Sequence, residues 1–310
     1  MRGLRLQLLF TAIVLVVAQA CASASPGRVE SPGSPKDWRG FNLLGFFNKD
    51  ASPGAYEESD FAWIHELGFN FIRLPLDYRF FTKSLDPMTL DQMALSGIDQ
   101  AVEWGGRYGI HVSLNLHRAP GYCVNRIESL PETLWTDAAM QSRFVEMWGL
   151  LAARYRGIGS DQLSFNLVNE PGDVPPDVYV SLMGRTIAAI RQQSPQRMIL
   201  VDGLKWGSIL TTNLAGPGIV LCTRGYYPFT LSHYRASWMA GSDTWKIPSW
   251  PPVPPAFASF LYGPLKPAFH RPAVLRMAER MIPAGTRVVV EVHQASGSLA
   301  LVVLSQCRQL

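Results

Sequence analysis

Between residues 40 and about 226, short apolar runs alternate with helix-length segments whose apolar positions recur every three or four residues. Phe41–Phe47 reads as a first strand. Tyr56–Leu67 reads as a helix with Phe61, Ile64 and Leu67 on one face, ended by Gly68, and Phe69–Leu74 follows as a strand. Leu90–Tyr108 is a long helix closed by Gly109, and Ile110–Leu116 a strand. Asp137 is placed to cap a helix reaching about Tyr155, before a strand at Leu163–Val168. Pro176–Gln193 reads as a helix, and Met198–Val201 and Ile219–Cys222 as strands.

The strands look nearly all-apolar, as expected when both faces are covered, and regular strand–helix alternation predicts a parallel α/β fold. Two architectures fit, an open doubly wound sheet and a closed barrel. No glycine-rich phosphate loop follows the first strand, which argues against a nucleotide-binding sheet. Polar residues stand at successive strand ends: Arg73, His117, Asn169-Glu170, Asp202 and Tyr226. Strands that each deliver one functional group to a common rim follow the logic of a (β/α)8 TIM barrel.

The regularity stops further on. Residues 241–272 are rich in Pro and Trp and read as an extended loop. Arg287–Val292 and Leu299–Leu304 are β-patterned, and Gly297 is available for a turn between them, so they read as a hairpin rather than a further strand–helix unit. The expected organisation is a leader at 1–24, a flexible lead-in at 25–36, a barrel of about six strand–helix units at 37–262, and a β-rich segment at 263–310.

Arg2 and Arg5 precede an apolar run from Leu6 to Ala18, too short to span a membrane, which predicts a secretory signal peptide with Ala18-Gln19-Ala20 suited to cleavage before Cys21. The mature chain is then secreted or periplasmic, with a lipid anchor on Cys21 as the alternative. Of the remaining cysteines, Cys123, Cys222 and Cys307, an odd number leaves at least one unpaired, and their spacing fits no metal template. Buried thiols are the simpler reading and a Cys123–Cys222 bridge the other. The net charge of +4 is slight and no basic helix carries it, so no nucleic-acid partner is expected. Nine Trp and ten Tyr give ample aromatic surface, suited to sugar faces or to core packing.

The most informative run is Phe165-Asn166-Leu167-Val168-Asn169-Glu170-Pro171, a buried strand ending in an amide, a carboxylate and a proline. Pro171 cannot extend a ladder and biases Glu170 toward extended geometry. A carboxyl fixed at a strand tip is what an acid/base catalyst on a barrel requires.

Four segments in order carry a resemblance: Asn169-Glu170-Pro171, Phe71-Ile72-Arg73-Leu74-Pro75, Leu116-His117-Arg118-Ala119-Pro120-Gly121, and Gly225-Tyr226-Tyr227-Pro228-Phe229 followed by Ser232-His233-Tyr234. Residues 36–262 resemble a glycoside hydrolase family 5 cellulase-type enzyme, from a clan of retaining (β/α)8 glycosidases. The resemblance implies Glu170 as general acid and then base, Asn169 at the sugar 2-hydroxyl, and Arg73 supporting a nucleophilic carboxylate. It implies His117 and Tyr226 lining the sugar site. Trp206 and Trp238, and with them Trp245 and Trp250, lie in loops on the cleft side. Arg224 stands where many relatives carry histidine.

The second carboxylate is the gap. A retaining glycosidase needs two carboxyls roughly 5–5.5 Å apart, and no Glu-aromatic-Gly segment follows residue 226. Glu291 is the one late strand glutamate to weigh, and its plainer reading is a solvent-facing strand residue; Glu279 fits less well still. The expectation is therefore an incomplete barrel followed by the start of an inserted β-sandwich, with the nucleophile not found, and a chain that is poorly stable or inactive in isolation. The implied activity is a retaining endo-β-1,4-glucanase acting, as a monomer without cofactor or metal, on polysaccharide or oligosaccharide. Mannan or xyloglucan are alternative substrates, and a noncatalytic carbohydrate-binding protein is the alternative class.

Overall fold

The computed structural model describes residues 35–125, 132–226, 229–248, 287–291 and 302–303. They form an incomplete (β/α)8 barrel. Its strands are β1 (Arg39–Asn42), β2 (Phe71–Asp77), β3 (His111–Ala119), β4 (Leu163–Asn166), β5 (Met198–Asp202), β6 (Ile219–Arg224) and β7 (Arg287–Glu291). Each pairs in parallel with the next, in sequence order. Helices α1 (Glu58–Glu66), α2 (Gln92–Tyr108), α3 (Ala138–Arg154) and α4 (Pro176–Gln193) connect the first five strands.

The helix boundaries follow local chemistry. The Asp91 side chain accepts from Met93 N and Ala94 N at the start of α2, and Gly109 ends that helix in the left-handed conformation at φ 67°. Asp137 caps α3 in the same way through Ala139 N and Met140 N. Phe61 and Ile64 bury the inner face of α1, but Leu67 is the C-cap residue and 72% exposed, one position beyond the face it was expected to share. The first strand also lies earlier than expected: residues 43–47 leave the sheet, and Phe46 is buried from the loop against Tyr56 and Phe80.

Contrary to the all-apolar expectation, the strands alternate. Ile72, Leu74 and Leu76 of β2, Val112, Leu114 and Leu116 of β3, Leu163 and Phe165 of β4, Ile199 and Val201 of β5, and Ile219 and Leu221 of β6 belong to the main core shared with the helices. The intervening residues turn the other way, into the barrel. Its lower end is filled by a separate apolar cluster of Trp38, Phe71, Met198, Leu200, Val220 and Cys222. Trp38 closes this floor, its ring 4.6 Å from Phe71 and 4.0 Å from His111 between centroids. Toward the carboxyl ends the interior becomes polar, with Arg73, Asn115, Asn166, Asp202 and Arg224 all buried.

The described residues of the two runs expected as a hairpin pair with other strands rather than with each other. Residues 287–291 pair in parallel with β6, from Arg287 opposite Val220 to Glu291 opposite Arg224, while Val302–Val303 pairs antiparallel with β1. The free edge of β6 offers a full row of backbone donors and acceptors, and the β-branched run Val288-Val289-Val290 satisfies them as a seventh barrel strand. The leader at 1–24, the lead-in through residue 34, Glu279, Trp250 and Cys307 lie outside the described residues. Cys123 is a free buried thiol, so the Cys123–Cys222 bridge is absent.

The barrel floor carries a pH dependence. His111 is fully buried, with Nδ1 2.8 Å from the Asp161 carbonyl and Nε2 2.8 Å from Ser164 Oγ. Burial pushes its pKa down from 6.5 to about 3. The unfolded chain takes up a proton below pH 6.5 that the folded chain refuses until about pH 3. Stability is therefore whole above pH 6.5 and falls between those values as pH drops, by up to about 1.4 kcal/mol per pH unit. His111→Gln is expected to flatten that slope in urea titrations at pH 7 and about 4.5. Equal losses in both proteins would rule the assignment out.

Candidate active site

Residues from five successive strands, β2 to β6, and from the turns that follow them meet at the polar end of the barrel. Asn169 and Glu170 follow β4 on a short extension tied to both neighbours: Leu167 N donates to Leu200 O at 3.1 Å and Asn169 N to Leu116 O at 3.1 Å. Trp148 of α3 donates from Nε1 to Leu167 O at 3.0 Å, and Tyr179 of α4 from its hydroxyl to Asp202 O at 2.6 Å. The strand tips that carry the site are thus anchored from the helix layer.

Glu170 is not extended. Its φ is +45°, in the left-handed region, despite the proline that follows. The surroundings over-determine this strained backbone. Its N–H donates to Asp202 Oδ2 at 2.9 Å, and its carbonyl accepts from Tyr122 Oη at 2.7 Å. Its carboxyl Oε1 accepts from Arg224 Nε at 3.2 Å and from the Tyr226 hydroxyl. Tyr226 is held in turn by His233, whose ring meets it edge-on at 4.9 Å and stacks on Phe229 at 4.4 Å.

Arg73 sits inside β2 rather than at its end, and its donors go to amides: Nε to Asn166 Oδ1 at 2.8 Å, Nη2 to Asn169 Oδ1 at 2.7 Å and Nη1 to Asn42 Oδ1 at 3.4 Å. Neither Asp77 nor Glu103 takes it; Asp77 is engaged by Arg79 at 2.6 Å and Glu103 by Arg107 at 3.0 Å. Because Asn169 Oδ1 accepts from Arg73, its amide nitrogen is left as the remaining donor, and that buried Nδ2 finds no acceptor among the described residues. His117 packs edge-on against Phe47 at 4.7 Å. The Phe47 loop is clamped from below: Arg118 lies over the Phe47 ring at 4.5 Å and donates to its carbonyl, while Asp77 accepts from Lys49 N at 3.0 Å.

Trp206 stands on a second strained turn. It and Lys205 have φ of 55° and 49°, and their N–H groups donate to Pro171 O and Gly172 O at 2.9 and 3.0 Å. The turn after β5 is thereby locked to the turn after Glu170, with the indole over Gly172 and 48% exposed. Trp238 is 61% exposed and Trp245 half-buried, both on the chain after β6.

The structure brings together Arg73, Asn169, Glu170 and Tyr226 with three residues not assigned a site role from sequence, Asn166, Tyr122 and Arg224. Asn166 could have been found from period-two alternation, since it shares its parity with Ser164 while Leu163 and Phe165 face the helices. Among the described residues no three His, Cys, Asp or Glu side chains converge as a metal site would. The arrangement provides one carboxyl on fixed donors, a buried amide donor without an acceptor among the described residues, and the half-exposed indole of Trp206.

The comparisons agree with this geometry. Residues 29–228 match the family model described as Cellulase (glycosyl hydrolase family 5). Endoglucanase C of Acetivibrio thermocellus is 31% identical over 223 residues, which are 67% of this chain and 64% of that protein's length. A crystal structure of a glycoside hydrolase is 33% identical, with a TM-score of 0.67 over 84% of this chain and 78% of its own. Endoglucanase Cel5A from Thermotoga maritima, 20% identical with a TM-score of 0.62 over 83% of this chain and 80% of its own, shares the fold.

Proposed function

This chain belongs to glycosyl hydrolase family 5, and from that premise we propose that it is an exported, retaining endo-β-1,4-glucanase whose two carboxyls are Glu170 and Glu291. The observation that carries the reading is the register of the sheet: Glu291 is the last residue of β7 and pairs with Arg224, the residue that holds Glu170. A carboxylate at the carboxyl end of the strand next to that rim is the missing partner.

In the first step a Glu291 oxygen attacks the anomeric carbon. The bond to the glycosidic oxygen breaks, and that oxygen takes the proton from Glu170. In the second, Glu170 removes a proton from water while the water oxygen attacks the same carbon and the Glu291 ester bond breaks, restoring both carboxyls. Asn169 Nδ2 is the donor for the sugar 2-hydroxyl, since Arg73 already occupies its oxygen. His117 contacts a hydroxyl of the same ring, and Trp206 and Trp238 supply stacking faces beyond the point of cleavage.

The β-glucan assignment is supported by the endoglucanase relatives. Thermotoga maritima Cel5A has been crystallised with cellobiose and with mannotriose, which makes β-mannan the substrate to test against it. Export is supported by the basic residues and apolar run of the first 24 residues. Among the described residues no helix is long and apolar enough to cross a membrane.

Treating the full chain with a 2-deoxy-2-fluoro-cellobiosyl fluoride should leave a glycosyl ester on the peptide containing Glu291, found by mass spectrometry. Proton NMR of cello-oligosaccharide hydrolysis should show the β anomer first. Label on another carboxyl would overturn the assignment of Glu291, the α anomer first would overturn retention, and sugar binding without turnover would point to the noncatalytic binder.

A further inference from the structure

The surroundings of Arg224 give it a role at the site. Its side chain is fully buried at the end of β6 between two carboxylates, with Nε 3.2 Å from Glu170 Oε1 and Nη2 on Asp202 Oδ2. Burying a guanidinium is costly and is sustained where partners meet it in good geometry. Here the planar fork sets the spacing of its partners in a way that a histidine ring or an ammonium cannot. Asp202 is fixed independently, since Oδ1 accepts from Asn166 Nδ2 at 2.8 Å and Oδ2 also accepts from Glu170 N at 2.9 Å. The main chain and the side chain of Glu170 therefore end on one rigid unit, Asp202–Arg224. The turn after β5 leaves room for it: a Cβ on Gly207 would lie 2.4 Å from Arg224 Cγ.

We propose that Arg224, braced by Asp202, is the positioning residue for the acid/base, fixing the angle at which Glu170 presents its proton to the leaving glycosidic oxygen. The proposal rests on the hydrolase reading above. Its consequence is specific. Proton delivery matters when the leaving group is a poor one, such as a sugar or phenol, and hardly at all when it is dinitrophenol, which departs as a stable anion. Loss of a positioning residue for Glu170 must therefore grow with leaving-group basicity. Loss of a residue that merely supports the fold falls equally on every substrate.

The test is kcat/KM, which reports the first step, for a series of aryl β-cellobiosides from dinitrophenyl to phenyl and for cellotetraose. It is measured with the full chain and its Arg224→Lys, Arg224→Met and Asp202→Asn variants, with thermal melts alongside. The expected result is little change on the dinitrophenyl substrate and a fall of about 10²-fold on cellotetraose for Arg224→Met, with Asp202→Asn following the same trend and Arg224→Lys between. A uniform loss across the series, or an unchanged leaving-group dependence, overturns the proposal. If Arg224→Met does not fold, Arg224→Lys, which keeps the charge but not the fork, decides by the same criterion. A wild-type chain inert toward every substrate would instead refute the hydrolase reading and the proposal with it.

Discussion

Glu170→Gln is expected to lower kcat/KM on cello-oligosaccharides by about 10³-fold, within the range that a positioned general acid contributes. The substitution is close to isosteric, and its amide oxygen can still accept from Arg224 Nε and the Tyr226 hydroxyl, so the contacts that hold the side chain survive. The backbone bonds to Asp202 and Tyr122 do not involve the side chain at all. What is lost is the proton. A dinitrophenyl cellobioside, which needs no acid to leave, should still form the glycosyl-enzyme at nearly the wild-type rate and then stall, because no base activates water. Azide needs no base: it attacks the anomeric carbon as the Glu291 ester breaks, and it should restore turnover with β-cellobiosyl azide as product. Glu291→Ala should give the opposite stereochemistry, the α-azide, because azide then makes the first displacement. A Glu170→Gln enzyme within about tenfold of wild type on cello-oligosaccharides, against the usual weight of general acid catalysis, would exclude Glu170 as the acid.

The parts of this molecule that were legible in sequence are those fixed by local chemistry. Asp137 and Gly109 mark helix ends because a carboxylate meets orphan N–H groups and a glycine takes φ 67° without a Cβ penalty. The Asn169-Glu170-Pro171 run and Arg73 could be picked out because a polar cluster amid apolar strands is costly unless used. What could not be read depends on partners distant in the chain. Arg73 donates to amides 31, 93 and 96 residues away, partners that no local pattern around residue 73 reveals. The left-handed backbone of Glu170 is imposed by Asp202 and Tyr122 against the preference of Pro171. The run at 287–291 looks like half of a hairpin until the open edge of β6 is considered, and pairing with that edge changes Glu291 from a mid-strand residue to a rim residue. Composition hides the polar barrel interior in Phe71-Ile72-Arg73-Leu74 and Leu163-Ser164-Phe165-Asn166, because only the parity of the positions separates the inward Arg73 and Asn166 from neighbours that face the helices.

Arg197→Met should cost about 3–5 kcal/mol of stability, on the scale at which buried donors leave acceptors unsatisfied. Arg197 precedes β5 and is buried beneath the sheet, where it serves backbone rather than a carboxylate. Its Nη2 donates to Tyr155 O and Ile158 O at 2.7 Å each, and its Nη1 to Leu163 O at 2.8 Å and Gly159 O at 3.3 Å. Those carbonyls belong to the end of α3 and the turn into β4, where the turn's own N–H groups reach only Tyr155 O, from Ile158 N at 3.0 Å, and Gly159 O, from Gln162 N at 3.2 Å and Leu163 N at 3.0 Å, so the guanidinium adds a second donor to these two and serves Ile158 O and Leu163 O besides. The guanidinium also lies over the Phe165 ring at 4.9 Å. Burial pushes the pKa of Arg197 down from 12.5 to about 10, so the group stays charged at neutral pH while its folded environment disfavours that charge. Methionine removes that penalty and keeps the apolar stem, which is why the net loss is smaller than four charged hydrogen bonds would suggest. For a domain of this size the melting temperature should fall by roughly 10 °C. Arg197→Lys, with three donors on one atom, should recover part of it. The guanidinium lies at the opposite end of the sheet from Glu170, so kcat/KM measured well below the melting point should not change. A melting temperature within about 2 °C of wild type would mean that the stretch from Tyr155 to Leu163 is held by packing rather than by this arginine.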